Sequence, residues 1–150
     1  MLRHVLGMAL LLAPLMACGP RRPRFDEADA IARGQAIAMG AFQQLSGRLQ
    51  DAIARHGTAG AVEFCSQAAL PLVDSLARAQ GVRIKRTSDR LRAAHDAPDA
   101  DEQRRLAEVL AQLAQGARPA EIGAQARLIG DSVAFYQPIL IAMPACLKCH

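Results

Sequence analysis

Between Asp26 and Gly81 the apolar residues return every three to four positions, and this run limits the possible folds of the 150-residue chain more than any other feature. Ile31, Ala38, Phe42, Leu45, Leu49 and Ile53 fall on one stripe of a helix that opens on acidic residues and closes on Arg55, His56 and Gly57. Thr58 can cap a second helix whose stripe runs through Val62, Cys65, Ala69, Leu72, Val73 and Leu76. Gly81 is its stop signal, and Pro71 marks a kink or a new start inside it. On this periodicity Cys65 faces inward. The chain must therefore be built around long amphipathic helices.

The remainder reads as shorter elements. Residues 82–87 alternate apolar and basic side chains as a half-exposed strand does, and residues 90–98 read as a loop. Asp99 and Glu102 have capping-box spacing ahead of a third helix through Leu106, Val109, Leu110 and Leu113 to Gly116. Gly130-Asp131 is a two-residue turn signal between strands at 126–129 and 132–141. The expected class is α+β: a small antiparallel sheet with long N-terminal helices, in one domain, since about half of the residues (51%) are apolar and can form a core. No internal repeat or low-complexity tract interrupts it.

Residues 1–18 (MLRHVLGMALLLAPLMAC) have the form of a secretory leader, with Arg3 in the charged region and residues 5–16 as an apolar stretch too short to span a bilayer. The leader ends Leu15-Met16-Ala17-Cys18, which resembles the site at which a bacterial lipoprotein is acylated on cysteine, although Met16 departs from the usual small residue. The expected lipid anchor is on Cys18, and an ordinary leader cut nearby is the alternative. Residues 19–25 form a Pro- and Arg-containing tether, and residues 26–150 form the folded domain. The formal charge of +4 includes Arg3, which leaves with the leader, so charge identifies no partner. Aromatic residues make up only 3% of the chain, too few for base stacking, so no nucleic-acid partner is expected.

The last five residues, Cys146-Leu147-Lys148-Cys149-His150, have the spacing of covalent c-type haem attachment. Two thiols separated by two residues reach the two vinyl groups of one porphyrin, and the adjacent imidazole becomes the proximal iron ligand. A leader fits this, because such thioethers form on the outer side of the bacterial inner membrane. Three other uses of the motif compete. A zinc site could take Cys146, Cys149 and His150 with Cys65 as fourth ligand. A thioredoxin-like pair would want its CxxC opening a helix after a strand, and a disulfide across two residues is strained.

With Cys18 assigned to lipid and Cys146 and Cys149 to haem, Cys65 is left over. It is either a small apolar side chain on the stripe of its helix or the second axial ligand of the iron, deprotonated by the metal. Met39, His56, His95 and Met143 are its rivals for that position. Arg83, Lys85, Arg86, Arg90 and Arg92 are candidates to pair with haem propionates, or else form a solvated basic face.

The segments 61–77 (AVEFCSQAALPLVDSLA), 81–92 (GVRIKRTSDRLR), 97–102 (APDADE), 135–141 (FYQPILI) and 144–150 (PACLKCH) together resemble a family of bacterial periplasmic c-type haem-binding proteins with a PAS-like fold, long catalogued as a domain of unknown function. The resemblance implies one haem c, His150 as one axial ligand and Cys65 as the other. Two departures stand out. Arg92-Ala93-Ala94-His95-Asp96 replaces the family's usual Arg-Asn-Pro followed by Asn, and Asp101 stands where an aromatic residue is common. The family also continues past CxxCH with the last strands of the sheet, so the expectation is either a fragment, truncated after the motif, or a terminal carboxylate beside His150 with a PAS-like sheet that lacks an edge.

With both axial positions filled by protein, the iron has no open place for substrate, and a non-enzyme is expected. The chain reads as a membrane-anchored periplasmic mono-haem c-type cytochrome-like protein in redox sensing or electron transfer, with a redox or signalling protein as partner and either the inner or the outer membrane as its anchor. The competing class is a zinc-stabilised or structural periplasmic lipoprotein without haem.

Overall fold

The computed structural model describes residues 24–91, 93–139 and 141. It has the expected α+β composition: a long helical element, α1 (Glu27–Gln80), a shorter helix, α2 (Ala100–Ala114), and a hairpin of β1 (Gln125–Ile129) and β2 (Ser132–Tyr136), with 3-10 turns at Ala94–Asp96 and Pro119–Glu121.

The residues at which the periodic run opens and closes bound α1. Asp26 caps α1, its carboxylate accepting from the Asp29 N–H at 3.1 Å. Gly81 ends it in the left-handed region at φ 63°, where its N–H bonds the Arg78 carbonyl while the Val82 N–H bonds that of Ala77. Hydrogen bonding continues past Pro71, but the backbone breaks at Gly57 (φ 66°, ψ −176°), so α1 is two arms that meet where the sequence changes from His56-Gly57 to Thr58. That conformation is essentially closed to residues with a Cβ.

The residues that α1 buries are smaller than the stripe suggests: Ala41, Ala52, Ala61 and Ala77. Phe42 and Val62, expected on the inner stripes, are 51% and 53% exposed. On the first arm the strand pair approaches closely at Gly34. A Cβ added to Gly34 would fall within the Phe135 ring of β2. Backbone-to-ring contact of this kind selects Gly at that position.

The hairpin is antiparallel, with Ala126 opposite Phe135 and Leu128 opposite Val133. Its turn has positive φ at Gly130 (60°) and at no non-glycine residue, the pattern of a type II′ turn. β2 stops at Tyr136, not at Ile141 as expected, because its last partner is Gln125, the first residue of β1, and Pro138 has no N–H to donate.

Residues 82–87, expected as a strand, form no ladder among the described residues. Their alternation has a different cause, which is that Lys85 reaches inward to α2. The expected loop at 90–98 contains the 3-10 turn, and its Arg92 lies outside the described residues.

Candidate functional site

Cys18, Met143, Cys146, Cys149 and His150 lie outside the described residues. Of the expected iron ligands, Cys65 is therefore the one whose setting is on view. It sits eight residues past the Gly57 break on the second arm of α1, half-buried on the face shared with Ala61, Ala68, Ala69 and Leu72. The rivals within the described residues face outward. Met39 is 56% exposed, His56 is exposed at the break, and His95 is exposed in its 3-10 turn, 3.7 Å from Asp96. A soft sulfur donor on the inner face of a helix suits a haem iron, so this donor set fits the group that the CxxCH motif implies. His56, Gly60, Glu63, Phe64 and Gln67 line an open groove of about 330 Å³ at the break. No three His, Cys, Asp or Glu side chains converge as a metal site among the described residues. Three of the four ligands considered for zinc lie outside them.

Three of the basic residues considered for propionates, Arg83, Lys85 and Arg86, lie against carboxylates. At the start of α2 the Asp99 carboxylate accepts from the N–H groups of Asp101 (3.0 Å) and Glu102 (2.9 Å), while the Asp99 N–H donates to the Glu102 carboxylate at 2.8 Å. The capping box read from the sequence is thus complete. These N–H bonds, that from Glu102 foremost, together with Lys85 and Arg83, hold the Asp99 carboxyl below its usual range. Lys85 then reaches the same Glu102 carboxylate at 2.6 Å and the Ala97 carbonyl at 2.5 Å. Arg83 lies 3.6 Å from Asp99 and 3.8 Å from Glu102, and Arg86 lies 3.9 Å from Asp96. Lys85, only 17% exposed, fastens the segment after α1 to the N-terminus of α2 and does not belong to a solvated basic face.

A second cluster joins α2 to the hairpin. The Tyr136 hydroxyl donates to the Asp101 carboxylate, which also pairs with Arg104 at 2.6 Å and lies 3.7 Å from Arg127. The Arg127 guanidinium stands over the Tyr136 ring, 5.7 Å from its centre. The Tyr136 and Arg104 bonds hold Asp101 below the usual carboxylate range. Burial foremost, then the bond to Asp101 and that group's charge, push the Tyr136 phenol up to about 12. Arg105 is buried in the same helix, bonded to Glu108 and to the Gly123 carbonyl at 3.3 Å each, with its Nε atom left without a hydrogen-bond partner.

Apart from the Asp99–Glu102 capping box, neither cluster is among the sequence-based expectations. The available signal was the pair of charges, Glu102 and Arg105, standing one turn or less before Leu106 on the inner stripe of α2. Charged residues at stripe positions are rarely buried without a partner. Asp101, which departs from the resembled family, is the acceptor of the second cluster.

Long broken helix, capped short helix and small antiparallel hairpin define an α+β domain, its described site comprising one inward-facing sulfur and two polar ties between elements. A family profile described as Tll0287-like matches residues 17–150, a span that includes both Cys18 and the terminal CxxCH, and the chain belongs to this family, whose function is unknown. No curated protein and no solved structure matches the chain significantly.

Proposed function

We propose that the protein is a membrane-anchored periplasmic mono-haem c-type cytochrome-like protein acting in redox sensing or electron transfer. The observation that carries this reading is the Cys146-Leu147-Lys148-Cys149-His150 spacing in a chain whose residues 1–18 read as a secretory leader. Cys146 and Cys149 would hold the porphyrin by two thioethers, and His150 would be the proximal ligand. Cys65 would be the opposite ligand, supported by its position on the inner face of α1 while Met39, His56 and His95 face outward. When bound, such a haem supplies a one-electron ferric/ferrous couple. Held by an imidazole and a thiolate, such a haem would have no coordination place left for substrate, which favours a non-catalytic role. The anionic sulfur favours the ferric state and so a low potential. Cys18, acylated, would keep the domain at the membrane, where a redox or signalling protein is its partner. No helix among the described residues is long and apolar enough to cross a membrane.

The test is to produce the full chain, with its leader, in cells that attach haem c, and to extract the purified protein with acidified acetone. Covalent haem stays with the protein. Haem that passes wholly to the organic phase overturns the reading, as does a colourless protein that contains zinc. In the same cells wild-type protein is expected in the membrane fraction and Cys18→Ser in the soluble or unprocessed fraction; wild-type protein found wholly soluble overturns the anchor.

A further inference from the structure

The break in α1 has a specific geometric effect on Cys65. Residues of an unbroken α-helix advance by about 100° each. Ala41 and Ala52, eleven positions apart, therefore share a face, within about 20° of each other. Ala52 and Ala61, nine positions apart, would fall about half a turn out of phase. Yet these are the two most buried residues of the element, at 2% and 0% exposure. Cys65 follows Ala61 by four positions, within about 40° of it, so in a continuous helix it would also point away from the face that buries Ala41 and Ala52.

Two glycines resolve the conflict. Gly57 takes the φ 66°, ψ −176° conformation that interrupts the helix. Gly60 accommodates the bend, since a Cβ on it would stand 2.5 Å from the His56 Cβ, inside van der Waals contact and against an atom with no rotamer freedom. A methyl group at either position alone opposes the bend, Gly57→Ala through the backbone conformation and Gly60→Ala through the collision.

We propose that the Gly57 and Gly60 pair is the positioning element for Cys65: by breaking α1 it turns the second arm so that the thiol faces the same interior as Ala41 and Ala52. The ligand role of Cys65 rests on the functional reading above; its inward placement by the break does not. Gly57 and Gly60 touch no cofactor in this scheme and act through the direction of the arm.

The test uses full-length protein made with haem attachment, as wild type, Gly57→Ala, Gly60→Ala, His56→Gly and the double variant His56→Gly/Gly60→Ala. Two quantities are read: the ferric absorption spectrum, and the rate at which a maleimide modifies Cys65, followed by mass spectrometry of its peptide. Gly57→Ala and Gly60→Ala should keep covalent haem, lose the low-spin thiolate spectrum and expose Cys65, with alkylation faster by about tenfold or more. His56→Gly alone should resemble wild type. The double variant removes the atom with which the new Cβ collides, so it should regain the wild-type spectrum and slow alkylation, which a variant that merely unfolds cannot do. Wild-type protein without covalent haem overturns the functional reading, whatever the alkylation rates. Haem-loaded protein whose spectrum and Cys65 reactivity are unchanged by Gly60→Ala, or changed but not restored in the double variant, overturns the positioning role.

Discussion

Glu102 is the residue whose loss the described structure should tolerate least, and the cost can be worked from its partners. Its carboxylate accepts the Asp99 N–H at 2.8 Å and the Lys85 ammonium at 2.6 Å, with side-chain exposures of only 10% for Glu102 and 17% for Lys85. Glu102→Ala removes the capping bond, worth about 0.5–1.5 kcal/mol. It also strands Lys85. Breaking a fully buried pair costs about 3–5 kcal/mol and an exposed one about 0–1 kcal/mol, so this mostly shielded pair should lie between, near 2 kcal/mol. The expected loss is about 3 kcal/mol, a large share of the roughly 5–15 kcal/mol that holds an ordinary domain together. Glu102→Gln keeps an acceptor for both donors and loses only the charge, so about 1–2 kcal/mol is expected. Urea unfolding of the full chain followed by helical circular dichroism measures both, and the midpoint should move with little change in slope. In a Lys85→Met background the cost of Glu102→Ala should fall to about 1 kcal/mol, the capping term alone. A Glu102→Ala cost below about 0.5 kcal/mol, or one undiminished by Lys85→Met, refutes the assignment of Glu102 as the shared anchor of α2 and the preceding segment.

Three further outcomes follow from the same geometry. Tyr136, held protonated to about 12 from an ordinary value of 10, contributes stability that is complete below pH 10 and lost as the pH rises through about 12. Asp101, held low, contributes in the opposite direction, its share present above the ordinary carboxylate value of 3.8 and lost as the pH falls through the lowered one. Ultraviolet titration of the one tyrosine in Asp101→Asn should show its pKa fall only partway towards 10, because burial, the larger cause, remains; an unchanged titration argues against the bond. Gly34→Ala should lower stability by about 1–3 kcal/mol through the Phe135 ring, and recovery in Gly34→Ala/Phe135→Leu would locate the effect, whereas a neutral Gly34→Ala contradicts that packing. Cys65→Ala and Cys65→Ser should both convert low-spin ferric haem to a high-spin or water-ligated form that binds imidazole readily and has a raised reduction potential; wild-type spectra in both make Cys65 a packed thiol and return Met39, His56, His95 and Met143 as candidates.

The sequence by itself determined what depends on neighbours in the chain. Asp26 and Gly81 bound α1, Asp99 and Glu102 cap α2, and Gly130 turns the hairpin, because each acts within four residues through hydrogen bonds or φ values intrinsic to that residue type. The Cys146-Leu147-Lys148-Cys149-His150 spacing is legible for the same reason, since the vinyl groups of the haem proposed for it would fix the thiol spacing without reference to a fold. Only the tertiary structure decided which side of each element is innermost. Ala41, Ala52 and Ala61 are buried while Phe42 and Val62 are half exposed, and neither the seat of Phe135, from a strand about a hundred residues away, on Gly34 nor the break at Gly57 is contained in the periodicity. The alternation in 82–87 looked like a strand because an ammonium drawn inward by Glu102 and a side chain alternating on a pleat leave the same pattern in a short segment. Which of the two causes operates depends on a carboxylate 17 residues further along, and no local propensity contains that distance.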